Sequence, residues 1–233
     1  MVYCLLIPFI GTVIGSLFIY IMSKKINRNM EIIVLGFAAG VMMAASIWSL
    51  IMPSLDMCNV YKASIGLLIG IIFFYLLDIY VVDKNIFNFD KIMFAITIHN
   101  IPEGMAVGVL LASYKLGNIS LIPCLALSMG IGIQNIPEGF IVSLTRYKND
   151  NNKNKAFIYG VISALFELIG GIITLLFVNI INVLLPFLLA IAAGAMIYVI
   201  ILELIPESNS NNKLNVIAFI VGFIIMMILD VIL

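Results

Sequence analysis

The chain has 233 residues, 64% of them hydrophobic and 10% charged, with a mean hydropathy of +1.21, whereas soluble domains run at about 45–50% apolar and about 25% charged. A transmembrane helix consumes about 20 mainly apolar residues, so the length is taken up by membrane spans and no folded soluble domain fits beside them. That excludes a nucleic-acid-binding module, a cytosolic enzyme and a receptor with a folded ectodomain, and the balance of twelve Lys/Arg against twelve Asp/Glu names no partner.

In chain order, apolar runs fall at 3–22, 32–52, 62–82, 91–112, 119–145, 156–180, 183–205 and 214–233. They are continuous rather than alternating, and backbone groups in hydrocarbon need partners within their own segment, so the fold class is all-α integral membrane with eight transmembrane helices. The first run has no basic region before it and no A-x-A cleavage pattern, and is expected to be retained as a span. The connections after helices one, three, five and seven hold Lys24, Lys25, Arg28, Lys84, Lys91, Arg146, Lys148, Lys153, Lys155 and Lys213, against Lys62 and Lys115 after helices two and four. By the positive-inside rule the first group faces the cytoplasm, which puts both termini outside a plasma (inner) membrane. The Asn/Lys-rich stretch from Tyr147 to Lys155 reads as a solvated cytoplasmic loop. Cys4, Cys58 and Cys124 stand too far apart for a redox or zinc motif and read as packing residues.

The runs repeat. Ala-Ala-Gly-Val-Met at 38–42 matches Ala-Ala-Gly-Ala-Met at 192–196, relating helix two to helix seven at an offset of about 154. Gly70 with Leu77-Asp78 matches Gly222 with Leu229-Asp230 at 152, and Ile10-Gly11 with Leu17-Phe18 matches Ile169-Gly170 with Leu176-Phe177 at 159. A duplicated three-helix unit is implied, inverted because helices one and six start on opposite sides of the membrane. Inverted repeats characterise secondary transporters, whose sites lie near the midplane between repeats. The domain organisation is then one transmembrane unit: repeat one over 1–82, a central helix pair over 91–145 and repeat two over 156–233.

That central pair carries its own duplication, His99-Asn100-Ile101-Pro102-Glu103-Gly104 against Gln134-Asn135-Ile136-Pro137-Glu138-Gly139. Helical spacing puts His99, Asn100 and Glu103 on one face and Gln134, Asn135 and Glu138 on another, so two opposed faces make one polar pocket. Pro102 and Pro137 leave carbonyls without donors, and the glycines that follow permit close approach. Glu167 is a third deep carboxylate. Charged or polar groups buried in a span are costly and functional by default, and with no Lys or Arg nearby a metal cation satisfies this set most naturally. Imidazole suits zinc, iron and related ions.

The N-I-P-E-G pair, the Ala-Ala-Gly-Val-Met-Met-Ala-Ala-Ser segment at 38–46 and the Glu-Leu-Ile-Pro-Glu-Ser end of helix seven resemble the ZIP (Zrt-, Irt-like protein) family of divalent metal transporters, in its prokaryotic branch with short loops. The resemblance covers essentially the whole chain. It implies uptake of zinc, iron, manganese, cobalt or cadmium toward the cytoplasm, by an elevator-like motion of one helix bundle against another. It also implies a binuclear mid-membrane centre, with one metal on Met42, His99, Glu103, Gln134 and Glu138 and a second on Asn100, Glu103, Asn135, Glu138 and Glu167, Glu103 and Glu138 bridging. Some members carry Asp where this chain has Asn135, so the second site is expected to be weaker. Residues 83–91 hold no histidine, so loop-based sensing is not expected. Glu203 and Glu207 are candidates for an exit station or are simply solvated.

The expected partners are divalent metal ions and the bilayer, not nucleic acid; a homodimer is left open, and no catalytic cofactor is expected. A membrane-embedded metalloenzyme is disfavoured by the single histidine, since catalytic zinc usually takes three protein ligands. A proton- or cation-coupled carrier of another solute is disfavoured by the lack of an intramembrane Lys or Arg to meet a substrate anion.

Overall fold

Runs this apolar have no water to satisfy their backbones and close their hydrogen bonds within helices. The structure, a computed structural model, describes residues 3–22, 28–77, 79–80, 91–117, 120–208 and 213–232. Among these residues eight helical rods follow one another. They are α1 (Tyr3–Ile21), α2 (Arg28–Ala45, continued by Ser46–Ile51 and Met52–Met57), α3 (Val60–Leu77) and α4 (Lys91–Lys115). After them come α5 (Leu121–Asp150), α6 (Lys153–Leu176), α7 (Val178–Val199, continued by Ile200–Leu204 and Ile205–Glu207) and α8 (Lys213–Ile232). Six of the eight are long and apolar enough to cross a membrane; α3 is shorter, and α4 carries His99, Asn100 and Glu103 in its middle.

Packing sorts the described helices into two bundles. In one, α1 lies along α5 and α4 along α6, with α1 and α5 also against α6; in the other, α2 lies along α8 and α3 along α7. Glycines make these pairings. A Cβ on Gly15 would stand 2.0 Å from the Ile136 carbonyl oxygen, and one on Gly170 2.2 Å from that of Ile101. In the other bundle Gly40 meets Phe219 at 2.0 Å and Gly194 meets Leu67 at 2.1 Å. Apart from Gly117 and Gly130, every glycine has a neighbour closer than a Cβ would tolerate, always in its own bundle.

Two of these contacts are spaced like the sequence repeat: Gly40 against Phe219 and Gly194 against Leu67 are related by offsets of 154 and 152. For α1 and α6 the register differs: Gly15, not Gly11, corresponds to Gly170, at an offset of 155, one helical turn from the expected 159. Glycines recur along both helices, and only the backbone each one approaches identifies its counterpart. A second correspondence has no sequence signature: both α2 and α7 turn π-helical, at Ser46–Ile51 and Ile200–Leu204.

The stretch from Tyr147 to Lys155 is not a loop. Helix α5 runs on to Asp150, helped by an Arg146–Asp150 ion pair of 2.7 Å at i,i+4. Asn151 then adopts φ 48°, a left-handed conformation Asn tolerates, and Asn152 caps α6 by accepting from the Lys155 amide at 3.0 Å. Two polar residues thus turn the chain.

Among the described residues an apolar seam lies between the bundles. Ala38, Ala39 and Met42 of α2 and Ala192, Ala193 and Met196 of α7 face Ile96, Ala106 and Val109 of α4 and Ile141 and Val142 of α5. Overpacking a tight contact costs about 1–3 kcal/mol. Gly40→Ala and Gly194→Ala are therefore expected to lower thermal stability in detergent by about that much. Gly130→Ala, whose Cβ would find its nearest neighbour at 3.6 Å, should leave stability unchanged or raise it by up to about 1 kcal/mol. Equal melting temperatures for all three variants would contradict the packing assignment.

Candidate metal centre

The repeated hexapeptide sits in the middle of α4 and of α5, and both helices run unbroken through its proline. The glycine after each glutamate is seated closely on a neighbouring helix: a Cβ on Gly104 would lie 1.9 Å from the carbonyl oxygen of Glu167, and one on Gly139 2.0 Å from that of Thr12. Glu103 is thereby set beside the α6 turn that carries Glu167. Met42 of α2 is buried in the apolar seam that α4 and α5 also line.

Asn100, Glu103, Gln134, Asn135, Glu138, Glu167 and Met42 are each at most 1% exposed. The side chain of His99 lies outside the described residues, as does that of Glu203. Hydrogen bonds tie the six polar residues of this set across three helices. The Gln134 amide donates to Glu103 Oε1 at 2.5 Å and to Glu138 Oε1 at 3.2 Å. Asn135 Nδ2 donates to both oxygens of Glu167, at 3.0 and 2.9 Å. Asn100 Nδ2 turns to α6, donating to the carbonyl and to the hydroxyl of Ser163 at 3.2 Å each, and Thr97 donates to the same hydroxyl at 3.1 Å. Ser163 was not singled out from the sequence, although it stands one turn before Glu167 on the same face.

Every carboxamide nitrogen of the site is thus used, while Asn100 Oδ1, Glu103 Oε2, Gln134 Oε1 and Asn135 Oδ1 are buried with no donor. Buried polar atoms are nearly always paired. All four of these are acceptors, and no Lys or Arg occurs on α4 between Lys91 and Lys115, on α5 before Arg146, or on α6 after Lys155. What such a site can do chemically is accept a cation. Among the described residues, which do not include the His99 side chain, no three His, Cys, Asp or Glu side chains gather closely enough to hold an ion by themselves. Glu207 lies far from this pocket, in the last turn of α7, 44% exposed at its side chain.

Comparisons with known proteins bear on this region directly. The family model for the ZIP zinc transporters matches residues 91–230, a stretch holding every candidate ligand except Met42. Zinc transporter ZIP11 of Xenopus tropicalis is 33% identical, the match covering 94% of this chain and 93% of its own. Zinc transporter ZIPB of Bordetella bronchiseptica is 31% identical over 95% of this chain and 77% of its own. For human ZIP11 the match is 36% identical but covers 60% of this chain and 42% of the relative.

Asn135 supplies both donors described for Glu167, and leaving a buried charged acceptor unsatisfied costs about 1–3 kcal/mol or more. Asn135→Leu should therefore destabilise the protein by at least about 1 kcal/mol. The double variant with Glu167→Leu should recover most of that loss. Additive effects in this double-mutant cycle, read by thermal unfolding in detergent, would show that the two side chains are not coupled.

Proposed function

The chain belongs to the ZIP family of zinc transporters, and on that premise we propose that it moves divalent metal ions, zinc foremost, across the membrane into the cytoplasm through the pocket between α4, α5 and α6. It is a multi-pass helical membrane protein of a transporter family, not an enzyme. The observation that carries the reading is the set of four buried oxygens without donors, on two helices that share one motif. Dehydrated divalent cations are the ligands that would use such acceptors. His99 and Met42 would add softer donors, which favours zinc, iron, cobalt or cadmium over calcium or magnesium; manganese, a family cargo, would rely more on the oxygens.

Two ions fit the proposal, sharing Glu103 and Glu138 as bridges. One would take Met42, His99 and Gln134 besides, the other Asn100, Asn135 and Glu167. The helix correspondences support a 3+2+3 inverted-repeat arrangement, and the division into two bundles supports transport by displacement of one against the other. Each ion enters and leaves as cargo, so a neutral ligand such as Asn135 keeps the second position from holding too tightly.

The basic residues place the α5–α6 turn in the cytoplasm and both termini outside the plasma (inner) membrane. Single cysteines at Lys153 and Lys115, in a background without Cys4, Cys58 and Cys124, should label from opposite sides with an impermeant thiol reagent. Labelling of position 153 from outside intact cells would reverse the orientation.

Zinc uptake into vesicles holding the purified protein tests the function. Glu103→Ala and His99→Ala should each lower uptake by at least about tenfold while the protein remains monodisperse. A well-folded Glu103→Ala variant with wild-type uptake would remove the pocket from the pathway, and wild-type vesicles that take up a solute with protons or sodium but no metal would favour the coupled-carrier reading.

A further inference from the structure

All the side-chain hydrogen bonds named so far join helices of one bundle, and the ends of the bundles are tied in the same way. At the basic end Lys153 of α6 donates to the carbonyls of Tyr20 in the last turn of α1 and of Met22 just after it, at 3.1 and 2.5 Å. Tyr20 Oη donates to Asn154 at 2.9 Å, again α1 to α6. At the opposite end Ser49 of α2 donates to Asp230 of α8 at 2.9 Å, and Ser54 of α2 to the Pro186 carbonyl of α7 at 2.7 Å.

Lys148 breaks this pattern. It stands in the last turns of α5, in the first bundle, and its ammonium pairs with Glu31 of α2 and, at 3.1 Å, with Glu207 of α7, both in the second. Glu31 is 7% exposed overall, in the first turn of α2. Its charge there has a second partner, because Arg28 Nη1 holds it at 2.7 Å while Arg28 Nη2 donates to the Glu207 carbonyl at 3.0 Å. Arg28 and Glu31 therefore form an ion pair within one bundle, tied to α7 through the Glu207 carbonyl, and Lys148 is added from the other bundle. If the bundles part, Glu31 keeps Arg28, and the Glu207 carboxylate, 44% exposed, and Lys148, 35% exposed, exchange each other for water. A contact that can be broken at little cost to either side has the properties of a latch rather than of a structural ion pair.

We infer that Lys148 is a positioning residue for transport: it closes the seam between the bundles at the basic end, and its release from Glu31 and Glu207 accompanies opening of the pathway toward that side. Lys148 lies ten residues beyond Glu138 on α5, about 15 Å at 1.5 Å per residue, and its partners Glu31 and Glu207 stand one helical turn from the seam residues Leu35 and Leu204. The inference rests on the transport reading for its consequence, but its test reads seam opening without any metal. Glu207 is thus assigned to the closed end of the pathway as a partner of Lys148, rather than to a free solvated surface.

The test uses the full-length protein, free of its native cysteines, with a single cysteine at Leu204, which is fully buried. Reaction with a water-soluble maleimide is timed in detergent without metal, each variant first checked as monodisperse by gel filtration. Lys148→Met should label at least about tenfold faster than the parent, the ratio for a closed-to-open shift of one pK unit's worth of free energy. Lys148→Arg, which keeps the charge, should label like the parent. Arg28→Met removes a partner inside one bundle and should label less than twofold faster. If Lys148→Met does not fold, Glu207→Gln replaces it, and an acceleration of at least twofold is expected from losing one of the two partners. Unchanged labelling in the variant that folds, or equal acceleration by Arg28→Met, would overturn the latch. Failure of zinc uptake in wild-type vesicles would instead strike the function and leave the labelling result standing.

Discussion

In hydrocarbon an apolar side chain gains nothing by leaving lipid for protein, so helices associate where their backbones can come close enough for dense packing. Here that condition is met by glycine against a carbonyl of the adjacent helix. Gly15 on Ile136, Gly170 on Ile101, Gly40 on Phe219 and Gly194 on Leu67 leave no room for a methyl group. The choice of neighbours, the two bundles and the depth of the site follow from it. The N-I-P-E-G motif has the same logic at its end: the glycine that brings α4 onto α6 comes directly after Glu103, so the carboxylate is fixed at the point of closest approach.

The charge of the pocket is the second constraint. Three buried glutamates are stabilised by carboxamide donors from Gln134 and Asn135, whose nitrogens are then spent and whose oxygens are left unpaired. A Lys or Arg in their place would neutralise the site permanently and repel a cation. Carboxamides do neither: rotated, the same groups present oxygen instead of nitrogen, so under the proposed function the pocket would hold itself together without an ion and offer these oxygens to one.

Much of this was legible in the residues. Hydropathy alone separated eight runs, and the duplicated hexapeptide identified the polar faces of α4 and α5 before any coordinates. Other features left no trace in composition. The π-helical segments at Ser46–Ile51 and Ile200–Leu204 depend on backbone hydrogen bonding that apolar sequence does not signal. The extension of α5 to Asp150 was hidden because an Asn/Lys-rich stretch reads as solvated, while an i,i+4 ion pair and a left-handed Asn151 make it helical up to a two-residue turn. Ser163 was overlooked because a serine in a span is usually a local backbone partner; it becomes part of the site only through Asn100 on another helix. The α1 register slipped by a turn since glycines one turn apart look alike until their contacts are known.

The distribution of contact types says where this molecule can move. Within a bundle, a glycine seated on a neighbouring carbonyl fixes both register and rotation, because any slide carries a Cβ or a side chain into backbone. Across the seam no glycine is seated in that way; Gly130, whose nearest neighbour across it is Asp230, has ordinary clearance. The facing surfaces of α2 and α7 there are Ala38, Ala39, Ala192 and Ala193, with the flexible Met42 and Met196. Alanine faces present little relief and methionine repacks readily, so displacement along the seam trades one set of weak apolar contacts for another. Displacement within a bundle would break close-packed backbone pairs instead. The hydrogen-bonded polar residues all lie on the rigid side of this boundary, while Met42 belongs to the other bundle. In the proposed ligand set Met42 would be the one donor from the opposite bundle, so the set would be complete in one position of the bundles and short of a donor in another, which would couple affinity for an ion to displacement.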